Sequence, residues 1–188
     1  EQVDALCTII TERVGTVQIL INNAGLARAA SFLEMEDRLW NEILRVNLTG
    51  TYNCCKAFLP GMMHRGWGRI INIASTTAKV AYSHVSAYTA SKHGVLGLTR
   101  SLALETAKIG VTVNAICPGY VDTESTRENA RRMVETTGKK LDDILRLLAD
   151  SSPQKRLIAP GEVAALALML ASEKAGGITG QAVNVDGG

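Results

Sequence analysis

The sequence carries almost no charge excess. Its 20 Lys and Arg against 18 Asp and Glu leave +2 at neutral pH, and no basic run exceeds Arg131-Arg132 or Lys139-Lys140. That removes the electrostatic footprint of a nucleic-acid or membrane-surface binder. Long hydrophobic runs are missing too. The longest, Val163 to Ala171, is far short of the roughly 20 residues a membrane-spanning helix needs. No signal-peptide pattern opens the chain, so a cytoplasmic protein is the expectation. The cysteines Cys7, Cys54, Cys55 and Cys117 have neither metal-ligand spacing nor a secreted disulfide framework, which makes them reduced thiols and leaves no metal site to expect. Repeats, linkers and low-complexity stretches are absent. So is a glycine-rich phosphate turn, because the Gly-x-Gly pair Gly66-Trp-Gly68 precedes a strand-like run instead of following one.

What is present is the composition of one globular domain over residues 1–188, with 46% hydrophobic and 20% charged residues. Apolar periodicity predicts a helix at the start (Val3, Leu6, Ile9, Ile10, Val14) and a buried strand over Val17 to Ile21. Two helices are expected between Glu34 and Arg65, with Asn47 between them and a break at Pro60-Gly61. Strands follow at Gly68 to Ala74 and Val111 to Ile116, separated by a long helix from Ser86 to Lys108. Residues 120–158 are less regular. A helix from Pro160, apolar on every side and therefore expected to be buried, leads to a last strand over Ala182 to Val185. This alternation predicts an α/β doubly wound parallel sheet.

The stretch from Ser75 to Lys92 has the pattern of an active site. Ser75 stands at a strand's C-terminal end, where open parallel sheets bind ligands. Tyr88 and Lys92, four apart at the start of a helix, share one face. A phenol titrates near 10, and an adjacent ammonium favours the phenolate. At about 4 Å and an effective dielectric of 20 the attraction is roughly 4 kcal/mol, equivalent to a pKa lowering of up to about 3 units. Tyr88 would thus be drawn towards neutrality, and Ser75 would hold a carbonyl oxygen while Tyr88 gives or takes a proton. Tyr52 and Lys56 repeat the spacing, but thirteen residues before Tyr52 stands Leu39 inside a helical pattern, so that pair is expected to be ordinary helix surface.

With Asn22-Asn-Ala-Gly25 after a strand, Asn47 in Arg-Val-Asn-Leu-Thr-Gly, Pro118-Gly119 after another strand and the terminal Asn184-Val-Asp-Gly-Gly188, the chain resembles the short-chain dehydrogenases/reductases over its whole length. The resemblance implies a Rossmann-like fold and NAD or NADP as cofactor. It makes Asn47, Ser75, Tyr88 and Lys92 the catalytic set, Asn47 holding a water that links Lys92 to solvent. It gives Asn22, Ala24, Gly25, Tyr88 and Lys92 contacts around the cofactor's ribose. Pro118, Gly119, Val121 and Thr123 would hold the nicotinamide end, and 120–158 would cover the substrate, with His84 a candidate for lining its pocket. Family members carry at least two further strand-helix units and the phosphate turn before the first strand seen here. The resemblance therefore implies a domain lacking its first units, without the residue that separates NAD from NADP.

The implied reaction interconverts a ketone and a secondary alcohol. The stretches Asn72 to Thr76 and Pro118-Gly119 are most similar to 3-oxoacyl and polyketide ketoreductases, whereas Ala103 to Ala107 and Asn114 to Pro118 are similar to 3-hydroxybutyrate dehydrogenases. The latter hold a small carboxylate with polar and basic residues, and the matching positions here are Ala27, Thr77 and Val85, so a 3-oxoacyl thioester or similar ketone is the expected substrate. Hydroxybutyrate and cyclic alcohols are the runners-up. Arg127, Arg131 and Arg132 could attract a phosphate, but Tyr120 to Ile158 holds eight Lys and Arg against seven Asp and Glu, which fits a mixed solvated face. Small residues on the Ser86 to Lys108 helix allow a close helix contact, and the resemblance, in whose family this helix and the preceding long one pair across a subunit interface, implies a homodimer or homotetramer. A reading of another class stays open at this point, in which the chain is a catalytically inactive fragment or an oligomerising scaffold.

Overall fold

The computed structural model describes residues 2–188. Four strands, β1 (Ile19–Asn22), β2 (Gly68–Ile73), β3 (Val111–Pro118) and β4 (Ala182–Val185), lie side by side in sequence order, each neighbouring pair parallel. Helix α1 (Gln2–Arg13) precedes the sheet. Between β1 and β2 run α2 (Asp37–Leu44), a π-helical turn (Arg45–Thr49) and α3 (Gly50–Arg65). A single helix, α4 (Ser86–Thr106), joins β2 to β3. The last crossover contains α5 (Glu124–Thr137), α6 (Leu141–Asp150) and α7 (Pro160–Ala171).

Strand β3 is buried at every residue and β2 at all but its last, which is why both read as nearly continuous apolar runs. Successive side chains point to opposite faces. Ile70 packs with Phe58 and Met62 of α3 and Ala103 of α4, while Ile71 packs with Ala167 and Leu170 of α7. Helices therefore cover both faces, and the predicted doubly wound α/β sheet is the fold. None of the helices among the described residues is long and apolar enough to cross a membrane.

Three local expectations are corrected. Strand β1 starts two residues later than Val17 and is an edge strand, with Ile19 and Ile21 exposed, because a single neighbour covers only part of it. The break at Pro60-Gly61 does not occur. Pro60 lies inside α3, which ends at Gly66 in the left-handed conformation (φ 72°). Pro60 is exposed, so water can serve the carbonyl that loses its helical partner. Finally, α7 is not buried all round: Val163, Leu166, Ala167 and Leu170 face the sheet, but Leu168 is 75% exposed.

Between α2 and α3 the chain stays helical through Asn47, widening to π geometry instead of separating into two helices. The turn is held against α4 by a close approach at Gly94, where a Cβ would stand 2.8 Å from a Leu48 methyl.

Candidate active site

The C-terminal ends of β1, β2 and β3 and the N-terminal turns of α4 converge on one side of the sheet. After Ile73 the chain leaves β2. Ser75, extended (φ −176°), caps a short 3-10 turn and accepts a hydrogen bond from Thr77 N at 3.2 Å. Since Oγ is the acceptor there, its own proton is free to be donated. Two turns of α4 present Tyr88 and Lys92 to the same place. Lys92 is buried, and its Nζ donates to Ile73 O at 2.7 Å.

The electrostatics differ from the sequence expectation. Burial pushes the Tyr88 phenol above its usual pKa; the Ser75 hydroxyl opposes that rise and Tyr120 adds to it. Lys92 does not draw Tyr88 towards neutrality. Its ammonium lies 5.7 Å from the centre of the Tyr88 ring and is turned to the Ile73 carbonyl, and the loss of water around the phenol outweighs it. Burial also pushes Lys92 itself down, to about 8, which leaves it mostly charged at neutral pH. The arrangement can present two O–H donors, from Ser75 and Tyr88, to one carbonyl oxygen.

Asn47 sits in the π-helical turn, fully enclosed. Its Oδ1 accepts from Leu26 N at 2.7 Å; its Nδ2 donates to Leu26 O at 2.9 Å and to Ser91 Oγ at 3.0 Å. Asn47 O accepts from Thr51 Oγ1 at 2.8 Å. The side chain thus grips the segment after β1 as a neighbouring strand would. Ala24 and Gly25 of that segment are exposed. Asn22 points into the sheet instead, donating to Asn72 Oδ1 at 2.8 Å and to Cys55 Sγ at 3.4 Å.

The residues present fit a dinucleotide's ribose. An ammonium has three donors, and only one of Lys92's has an acceptor among the described residues. A Cβ added to Gly25 would stand 3.6 Å from Lys92 Nζ and 3.5 Å from Asn47 Oδ1, in ordinary contact with both, so this backbone lies directly beside the Lys92 ammonium. At the end of β3, Gly119 N donates to Val185 O and packs on Asp186, leaving no room for a larger residue. Tyr120 O and Asp122 N form a parallel bridge with Ile158 that does not use the Val121 N–H. Thr123 caps α5, its Oγ1 accepting from Thr126 N. A cavity of about 80 Å³ lies beside the Ser75 turn, lined by Thr76, Tyr82, Gly119, Tyr120 and Leu148 among others. Tyr52 and Lys56 form a surface pair instead: the ammonium lies 5.6 Å from the centre of an exposed ring on α3.

Several supporting residues escaped the sequence reading. Asn72, fully buried in β2, receives Asn22 and donates to Thr99 Oγ1 at 2.8 Å, and Thr99 donates to Val95 O at 2.8 Å. Lys79 ties the active-site turn to β4 through Ala182 O and Asn184. A polar residue inside an apolar strand is the one signal that could have singled out Asn72, since it must find a partner there. His84 is exposed with a left-handed backbone (φ 65°), its carbonyl accepting from Ala30 N at 2.8 Å.

Comparison with known proteins agrees with this geometry. A family model described as enoyl-(acyl carrier protein) reductase matches residues 1–188. The chain is 42% identical over 192 residues to a putative ketoacyl reductase of Streptomyces coelicolor, covering 100% of this chain and 72% of that protein. It is 41% identical over 175 residues to a D-beta-hydroxybutyrate dehydrogenase of Cupriavidus necator, covering 93% and 68%. Among solved structures, a variant of actinorhodin polyketide ketoreductase with NADPH superposes at a TM-score of 0.95 with 38% identity, covering 100% of this chain and 72% of that one. The chain belongs to the short-chain dehydrogenase/reductase family, NAD(P)-dependent oxidoreductases that interconvert ketones and secondary alcohols.

Proposed function

We propose that Ser75, Tyr88 and Lys92 reduce a 3-oxoacyl thioester or a comparable ketone to the alcohol. The observation that carries this is the convergence of two hydroxyls and one buried ammonium at the C-terminal ends of β1 to β3. Ser75, its Oγ already accepting from Thr77 N, donates to the carbonyl oxygen. Tyr88, kept protonated at neutral pH by burial, delivers its proton to the same oxygen as negative charge develops on it. Lys92 offsets the phenolate left behind, and the Asn47 region serves the route by which Tyr88 is reprotonated. When bound, NADH or NADPH supplies the hydride. The two uncommitted donors of Lys92, with Tyr88 and the Asn22 to Gly25 segment, hold its ribose, and Pro118, Gly119, Val121 and Thr123 hold its nicotinamide end.

A thioester is favoured over free 3-hydroxybutyrate because the positions that would anchor a small carboxylate carry no charge. Ala27, Thr77 and Val85 are uncharged, and Arg127, Arg131 and Arg156 are ion-paired to Asp122, Glu124 and Glu162. The Streptomyces coelicolor relative is described as a ketoacyl reductase. We place the enzyme in a reducing, cytoplasmic setting, supported by four free thiols, and as a homodimer or homotetramer, supported by the apolar outer faces of its helices. The test is Tyr88→Phe, followed by NADPH and NADH titration and by steady-state reduction of an acetoacetyl thioester. The expected result is loss of turnover by at least about a thousandfold, while dinucleotide binding, which loses one hydroxyl contact and keeps those of Lys92, weakens by no more than about tenfold. Retained turnover overturns the assignment.

A further inference from the structure

The hydroxyl between Tyr88 and Lys92 in sequence does something neither of them does. Ser91 is fully buried, and its Oγ donates to Tyr88 O at 2.7 Å while accepting from Asn47 Nδ2 at 3.0 Å. Asn47 passes the connection on, holding Leu26 by both its N–H and its C=O. Leu26 follows Gly25, the residue that faces Lys92 Nζ and Asn47 Oδ1. One unbroken series of hydrogen bonds therefore runs from the Tyr88 backbone through Ser91 and Asn47 to the segment after β1. Ser91 is its link to α4, spanning 44 positions in sequence to Asn47.

Tyr88 O is also the ordinary helical acceptor for the residue four positions on, which is Lys92. The Ser91 hydroxyl thus pins the carbonyl of Tyr88, the same group that accepts from the Lys92 backbone N–H. It pins it against the π-helical turn. We propose that Ser91 is a positioning residue for the reaction: it fixes Tyr88 and Lys92 relative to the Leu26 and Gly25 backbone by way of Asn47. Ser91 itself touches neither substrate nor cofactor. This rests on the roles given to Tyr88 and Lys92 above. Displacements of about 1 Å in a reacting constellation cost on the order of a hundredfold in rate, whereas binding of the ground state tolerates them better.

The experiment is a double-mutant cycle in kcat and KM on Ser91→Ala, Asn47→Ala and the pair, with the folded fraction of each variant taken from NADPH titration. Ser91→Ala is expected to lower kcat about tenfold or more per folded site while KM for the ketone changes less than about twofold. In the Asn47→Ala background the same change should cost less than about twofold, because the link is already gone. If Ser91→Ala does not fold, the cycle is read with Ser91→Cys, which keeps the volume and loses the strong donor. A wild-type kcat in the single variant, or an equal loss in both backgrounds, overturns the proposal. An inactive Tyr88→Phe beside a fully active Ser91→Ala overturns the positioning role alone; an active Tyr88→Phe removes the reading beneath it.

Discussion

A buried ammonium is costly, and Lys92 shows how that cost becomes measurable. Its pKa falls from 10.5 to about 8 on burial, so the folded state releases the proton at lower pH than the unfolded chain. Between about 8 and 10.5 the unfolded state holds more protons than the native one, and stability must rise with pH there. Below 8 both states are protonated and the full cost is borne. The interval of 2.5 units corresponds to about 3 kcal/mol at 1.36 kcal/mol per unit. Lys92→Met should lack this slope. Urea unfolding of both proteins at pH 8 and pH 10, which spans most of that interval, is expected to show wild type gaining about 2 kcal/mol more than the variant; equal gains would mean that Lys92 is not held against its charge. Tyr88 and Lys92 were legible in the sequence because a spacing of four fixes neighbours on a helix. The direction of the Tyr88 shift was not, since it depends on where the ammonium points, and that is decided by the Ile73 carbonyl. Ser91 was illegible for a similar reason, its partner being 44 residues away.

At the scale of elements, β2, β3 and α4 were readable because their chemistry is uniform along their length, and β4 because it stands apart between loops. The π-helical turn was not: a register change of one residue leaves no mark on hydrophobic periodicity, and it is read only from the packing that stabilises it. Gly94 is the centre of that packing. A methyl there would press on Leu48 at 2.8 Å, and overpacking costs about 1–3 kcal/mol against a helix-propensity gain of about 1. Gly94→Ala is therefore expected to lose roughly 1 kcal/mol net and to lower kcat, because Leu48 adjoins Asn47 in the same turn. Leu48→Ala added to it makes room for the methyl. Leu48→Ala loses packing of its own, so the double variant is expected to lose less in denaturant midpoint than the sum of the two single losses; a strictly additive loss would mean that the contact is not what holds the turn.

The whole molecule leaves apolar surface uncovered on both sides of its sheet. On the face covered by α3 and α4, Leu104 is 84% exposed, on the same stripe of α4 as the small residues Ala90 and Gly97, and Tyr52 and Met63 are exposed on α3. On the other face, Leu168 and Met169 stand out from α7, the helix whose sequence promised complete burial. Such patches mark association surfaces when they are contiguous, and two of them on opposite faces allow two independent two-fold contacts, which close as a tetramer with dihedral symmetry. Either contact alone closes as a dimer. Leu104→Glu and Leu168→Glu place a charge in the centre of one patch each and touch nothing in the active site. Sedimentation velocity at micromolar concentration is expected to show a tetramer for the parent chain, a dimer for either variant and a monomer for the two combined. A parent chain that sediments as a monomer would leave both faces simply exposed to solvent, and a parent dimer dissociated by only one of the two changes would assign the contact to that face.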